Sequence, residues 1–269
     1  MGRQKWFGML LVALASLAWC GLAHADLLTI YEIQSDTSDG DASSYDGQTH
    51  DVVGGIVTHT WAGFNDRVYL RDPDHPTWGA ICVKDWVGDV VGAVEVGDWV
   101  EFTQITIEEF RGTTFLQYDP TANPSVDFNV VSTGNPVPAP TVLTAADLIV
   151  PVDHTASEPY ESMVVTLEDV DVGTIGLGKA EDNYELLQGS DVAWGADYMN
   201  VDKVGDYHPW IYPGAELESI TGMVEQYTKL SDGWDYYQLL TRSSADIVPE
   251  PATLGLLLAG AVLVGRRGR

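Results

Sequence analysis

The sequence predicts an all-β fold of two consecutive small barrels set between two apolar terminal helices. From Asp51 onward the chain falls into short segments rich in β-branched and aromatic residues, separated by Gly, Asp and Pro. That pattern stops at a proline-spaced stretch and then restarts. Between the two ends no segment has the length and period of a major helix.

The N-terminus is built as a secretory signal, with Arg3 and Lys5 ahead of an apolar region from Trp6 to about Trp19 and small residues ending at Ala23-His24-Ala25. Cleavage after Ala25 by a signal peptidase would make Asp26 the first mature residue, so residues 1–25 read as a leader. Cys20 stands where a lipidated cysteine would, but Trp19 before it is too large for that processing. Residues 26–50 form an acidic segment, with Asp36, Asp39, Asp41 and Asp46 close together, expected as a solvated loop. A calcium-binding loop wants oxygen side chains at alternate positions ahead of its glycine. Ahead of Gly40 these are Ser35, Thr37 and Asp39, a single carboxylate. No cofactor or metal is expected, a weak Ca²⁺ site being the lesser reading.

The first barrel is placed at 51–140, with strands at 53–60, 67–71, 79–84, 99–108, 113–118 and 125–132. Between the fourth and fifth, Glu109-Phe110-Arg111-Gly112 suits a hairpin, because its glycine accepts the positive φ of a tight turn. From Thr133 to Pro140, alternate prolines prevent entry into a sheet centre and make a semi-rigid spacer. The second barrel, 141–248, opens with a helical turn at 143–148 and continues with strands at 162–168, 183–187, 196–201, 216–226 and 234–241.

The restart has the marks of an internal duplication. Adding 117 carries Gly97 to Gly214, Val100 to Leu217, Glu108 to Glu225 and Phe110 to Tyr227, apolar onto apolar and acid onto acid. Upstream, Trp78-Gly79-Ala80 matches Trp194-Gly195-Ala196 with an offset of 116, and Val57-Thr58 matches Val165-Thr166 with 108. A repeat of about five short strands suits an OB-like barrel, which closes on itself and so removes its edges.

Two stretches carry a resemblance that goes further: VGDWVEFTQITIEEFRGTTFLQY from Val96 and ELESITGMVEQYTKLSDGWDYYQLL from Glu216. They are similar to strand hairpins of the tandem OB modules that precede the catalytic domain in secreted bacterial endonuclease/exonuclease/phosphatase-type nucleases. Glu158-Pro159-Tyr160 and Thr241-Arg242-Ser243-Ser244 resemble the opening and closing signatures of such modules. The resemblance implies a fold. The catalytic domain has no counterpart in this chain, so no catalytic residue is carried over and no enzyme is expected.

At the other end, Pro249-Glu250-Pro251, the apolar run from Ala252 to Val264 and the cluster Arg266, Arg267 and Arg269 resemble a PEP-CTERM sorting signal. The resemblance implies cutting by an exosortase-type enzyme, transient contact with a membrane through the tail helix, and delivery to the cell surface or to extracellular polysaccharide. The arginines would stay on the cytoplasmic side and leave the body outside. The two prolines resist helix and sheet and would keep the cleavage peptide accessible. Residues 249–269 are therefore read as the signal.

Five of the 13 Lys and Arg lie in the two ends, leaving 8 basic against 40 acidic residues between 26 and 251, a net of −32. Such a charge argues against nucleic acid as a partner and favours cations or cationic polymers. Cys82 is left without a disulfide partner once the leader is gone. The histidines are isolated, and neither HExxH, CxxC, G-x-S-x-G nor a P-loop occurs. The aromatics are the remaining candidates, since an OB barrel can present rings for stacking on bases or sugars. Trp61 and Trp234, each beside Gly and Asp, are the first choices for exposed stacking residues. The expectation is an exported, non-enzymatic binding or structural module, with a nucleic-acid-binding accessory protein of the secreted-nuclease kind as the alternative.

Overall fold

A computed structural model describes residues 27–38, 42–63 and 65–251. The expected leader, with Ala23 and Ala25, and the expected tail helix, with Arg266, Arg267 and Arg269, lie outside the described residues. The chain begins with α1 (Ile30–Ser35), started by a reciprocal cap: Glu32 N–H donates to Thr29 Oγ1 at 3.1 Å, and Thr29 N–H to the Glu32 carboxylate at 2.8 Å. Ile30 and Ile33, three apart and so on one face, are completely buried in the core of the first barrel. Two short strands follow, β1 (Thr37–Ser38) and β2 (Ala42–Ser43), paired antiparallel. The expected solvated loop is thus corrected. Asp36 and Asp46 face out, but two isoleucines and a capping box fold its start onto the barrel.

The first sheet holds β3 (Thr49–Trp61), β4 (Asp66–Arg71), β5 (Ala80–Asp85), β6 (Trp99–Phe110), β7 (Thr113–Tyr118) and β8 (Asp127–Ser132). Strands β3-β4-β5-β7-β6 run in that order, and β6 pairs back to β3, closing a five-stranded ring with β8 added outside β6. All contacts are antiparallel except the parallel β5–β7 pair. Val57, Leu70, Ile81, Phe102, Ile107 and Leu116 fill the ring, each such side chain contributing about 1.5–3 kcal/mol by leaving water. The connection from β5 to β6 is gathered by the buried Asp85 carboxylate, which accepts the N–H groups of Val87, Gly88, Val90 and Val91 at 2.8–3.2 Å.

After the proline-spaced stretch the second sheet holds β9 (Thr141–Leu143), β10 (Val164–Leu177), β11 (Asn183–Gln188), β12 (Asp191–Ala196), β13 (Glu216–Lys229), β14 (Trp234–Leu240) and β15 (Ile247–Pro249), with α2 (His154–Ser157) before β10. Its ring, β10-β11-β12-β14-β13 and back to β10, repeats the first, including the parallel pair β12–β14. Leu167, Val172, Tyr184, Leu186, Ile220 and Leu239 lie inside it.

The duplication can be read bond by bond. Gly97 N–H donates to the Val57 carbonyl at 2.9 Å and Val57 N–H to Asp98 at 2.8 Å; Gly214 does the same to Val172, and Val172 to Ala215, each at 2.8 Å. The offset of 117 therefore holds in β6 and β13, but the counterpart of Val57 is Val172 rather than Val165. Nor does Trp78-Gly79-Ala80 correspond to Trp194-Gly195-Ala196, because the first stretch opens β5, whose first residue is Ala80, and the second closes β12. The strand expected at 196–201 lies at 191–196. It ends where the buried Asp197 carboxylate takes hydrogen bonds from the Tyr184 and Thr241 hydroxyls at 2.8 and 2.6 Å and from His208 N–H at 2.6 Å. Pro249 is also not outside the sheet: it closes the edge strand β15 opposite Leu217, where a missing N–H costs no ladder bond. Pro251 is exposed.

The barrels meet along a third core, with Tyr69, Cys82 and Phe115 from the first against Ala196, Met199, Met223 and Leu240 from the second. This seam positions the site.

Candidate functional site

The β6–β7 hairpin of the first barrel turns at Arg111 and Gly112, both at positive φ (62° and 84°), as a two-residue hairpin requires. Its tip rests on β13 of the second barrel. Thr228 N–H donates to the Arg111 carbonyl at 2.7 Å, and the Thr113 hydroxyl donates to the Gln226 carbonyl at 2.8 Å. A Cβ on Gly112 would lie 2.4 Å from the Gln226 side chain, so glycine is needed both for the turn and for this close approach. Docking the hairpin here leaves a cleft of about 350 Å³ between the barrels.

One wall is Trp61, Asn65, Arg67, Phe110, Arg111 and Phe115; the other is Lys179, Asp182, Tyr198, Tyr227 and Tyr236, with Glu225, Gln226 and Gln238 on the floor. Phe110 is 47% exposed, a high value for a phenyl ring beside a seam that buries other apolar groups. Tyr227 stacks on Tyr236 at 5.7 Å and 27°, and Trp234 and Trp194 extend the row at 5.8 Å from Tyr227 and 4.7 Å from Tyr236. Trp61 stands edge-on to Tyr198 at 6.1 Å.

Arg67 crosses the cleft wall to pair with Glu225 and donates to the hydroxyls of Tyr198 at 3.1 Å and Tyr69 at 3.3 Å. Burial works against its charge, but Tyr198, Glu225, Tyr69 and Cys82 together hold its pKa above the ordinary arginine range. Its Nε has no partner, an unmatched donor beside the cavity. Lys84 is almost wholly buried and paired with Glu108 at 3.6 Å. Its ammonium lies 4.8, 4.4 and 5.4 Å from the rings of Trp86, Phe110 and Phe115. Lys179 sits 5.0 Å over Tyr227, Lys229 5.9 Å over Trp234 and Arg111 5.4 Å over Phe110. Of the eight basic residues between 26 and 251, three line the cleft and two more, Lys84 and Lys229, lie beside it, each of the five against an aromatic ring.

Of the two stacking candidates, Trp61 lines the cleft, half-buried, while Trp234 is half-buried behind Tyr227. Phe110 and Tyr227, matched by the offset of 117, face the same cavity from opposite barrels. Tyr69, by contrast, is sealed in the seam and its phenol is pushed well up by burial. Sequence reasoning missed Arg67, Arg111, Lys179, Tyr198 and Tyr236; the scarcity of basic residues was the signal that could have singled out the first three.

A second constellation is structural. His208 Nε2 lies 2.9 Å from the Ser244 hydroxyl, as in a serine–histidine pair. However, Nδ1 accepts the Trp210 N–H at 3.3 Å, so the ring proton is on Nε2 and donates to Ser244. The imidazole has no lone pair left to deprotonate the serine. Burial lowers its pKa further from the charged form.

Among the described residues, no group of three His, Cys, Asp or Glu side chains is placed to hold a metal ion, and no helix is long and apolar enough to cross a membrane. No protein-family model matches the chain, and no curated protein does. Solved structures of similar fold include the Ifi202 HINa domain in complex with 20-bp dsDNA, at 8% identity over 72% of this chain and 92% of that one (TM-score 0.36). A murine DNA-binding protein bound with dsDNA matches at 10% identity over 74% and 97% (0.34). Fission yeast Pot1 with ssDNA matches at 13% over 86% and 92% (0.31). The expectation that nucleic acid is an unlikely partner is corrected: structures of similar fold were solved with DNA, and the net charge behind that expectation does not describe this cleft. The physical reason it misled is that net charge averages over the whole surface, whereas the cations here are gathered in one place.

Proposed function

We propose that the chain is an exported, non-enzymatic protein whose paired OB barrels hold single-stranded nucleic acid in the cleft between them. The observation that carries this is the convergence of Trp61, Phe110, Tyr227 and Tyr236 with Arg67, Arg111 and Lys179 on one cavity, in a chain otherwise acidic. Rings stack on bases whatever their sequence, and cations track phosphates. A cavity of about 350 Å³ suits unpaired bases rather than a duplex. Export rests on the leader ending at Ala25 and on the Pro249–Pro251 tail with its arginines, which would bring the body to the outer face of the membrane.

The test is a fluorescence titration of the purified chain with single-stranded and duplex oligonucleotides at low salt. Quenching of tryptophan emission by single strands, weakened by salt and by Phe110→Ala, is the expected result. A flat titration would remove the reading. Export is tested separately, by mass spectrometry of the protein recovered outside the cell, where both termini should be trimmed.

A further inference from the structure

We infer that the cleft takes a short single-stranded oligonucleotide or the end of a strand, not a long tract. This rests on the reading of the cleft as a nucleic-acid site and concerns how much nucleic acid it can hold. Three of the five nearby cations are already matched: Arg67 by Glu225, Lys84 by Glu108 and Lys229 by Asp232. Arg111 and Lys179 make no ion pair among the described residues, and each stands at the mouth over a ring, Phe110 or Tyr227, from opposite barrels. With Asp232 near Arg111 and Asp182 near Lys179, these two charges can neutralise at most about two phosphates, which joins about three nucleotides. The rings that could stack on those bases are equally few.

Beyond this mouth the surface turns acidic. Glu181 and Asp232 are exposed close in sequence to Lys179 and Lys229, and Asp182 is itself in the cleft wall. Over residues 26–251 acids outnumber bases 40 to 8. A strand continuing out of the cleft would run along like charge, so extra nucleotides add repulsion instead of contacts. Proteins that bind long single strands do the reverse, lining a groove with cations along the whole backbone path. This cleft is a pocket with two cations at its lip.

The experiment measures binding of oligothymidylates of about 2 to 16 nucleotides to the purified chain across a range of salt, with each constant divided by the number of registers. Affinity should level off at about three or four nucleotides, and log K against log salt should have a slope of about −1.4, from two phosphates at about −0.7 each. Arg111→Gln should flatten the slope by about 0.7. A rise of about tenfold or more between the four- and sixteen-nucleotide ligands, or a slope steeper than about −3, would overturn the short footprint while leaving nucleic-acid binding intact. Absence of binding at every length would overturn the function proposed for the cleft, and this inference with it.

Discussion

Arg67 of β4 and Glu225 of β13 form an ion pair across the seam, and the far oxygen of Glu225 takes hydrogen bonds from the Tyr198 hydroxyl at 2.7 Å and from Gln238 at 2.8 Å. The pair is mostly buried, at 16% and 9% exposure. Removing one partner leaves the other desolvated, which costs about 3–5 kcal/mol, whereas replacing both with apolar groups of similar volume is close to neutral. Arg67→Met should therefore destabilise the seam strongly, and Arg67→Met/Glu225→Leu much less. Cys82 supplies a local readout, because it lies in the same seam with its thiol pushed up to about 12 by burial. A thiol reagent should label it slowly in the wild type, fast in the single variant and slowly again in the double.

The carboxyl group of Glu161 is fully buried where the barrels join. It accepts from Thr114 N–H of the first barrel at 3.0 Å and from Gln34 of α1 at 3.3 Å. Burial, then the neighbouring Glu158 and Glu109, push its pKa well above the ordinary carboxylate range. The folded protein then binds a proton that the unfolded chain has lost, so the contribution is greatest below about pH 4.5 and falls by up to about 1.4 kcal/mol per pH unit as pH rises toward the folded value. Glu161→Gln keeps an oxygen for both donors and needs no proton. Its melting temperature should exceed that of the wild type at pH 8, with the gain vanishing near pH 4. An equal gain at both pH values would show that the carboxyl is not proton-linked to folding.

His59 pulls the other way. Desolvation, helped by Arg242, lowers its pKa to about 4. The unfolded chain takes up the proton first, so stability is lost as pH falls from about 6.5 through 4, by at most roughly 3 kcal/mol. His59→Gln should flatten the acid limb of a stability-against-pH curve in that window and leave the alkaline limb, governed by Glu161, as it was.

These linked groups are what the sequence hid. Strand positions were legible because alternation and glycine mark them: Thr113–Tyr118 and the Arg111-Gly112 turn lie where the pattern puts them. The Thr29–Glu32 capping box was equally legible but masked by the acidic residues after it. Strand β12 was displaced because Asp197 reads as an ordinary polar residue until its three donors are known. The site was half legible. The repeat pairs Phe110 with Tyr227, yet no spacing rule says that hairpin β6–β7 docks on β13, and that contact turns two repeat-related rings into facing walls. Arg67, Glu225 and Tyr198 meet only through the seam.

The facing rings give the sharpest prediction for binding. Stacking of a base on one aromatic side chain contributes about 1–3 kcal/mol, so Phe110→Ala and Tyr227→Ala should each weaken single-strand binding by about 5- to 150-fold. Phe110 is 47% exposed and its loss should barely alter melting. Tyr227 packs on Tyr236 and Trp234, so its alanine variant needs a check of stability beside the affinity. If one nucleotide segment spans both walls, each ring helps to hold the strand against the other. The double variant should then lose less than the product of the two single losses, because breaking either contact already frees part of the strand. Additive losses would mean two independent contacts. Unchanged affinity in both single variants, measured by anisotropy at low salt, would place the ligand elsewhere than between Phe110 and Tyr227.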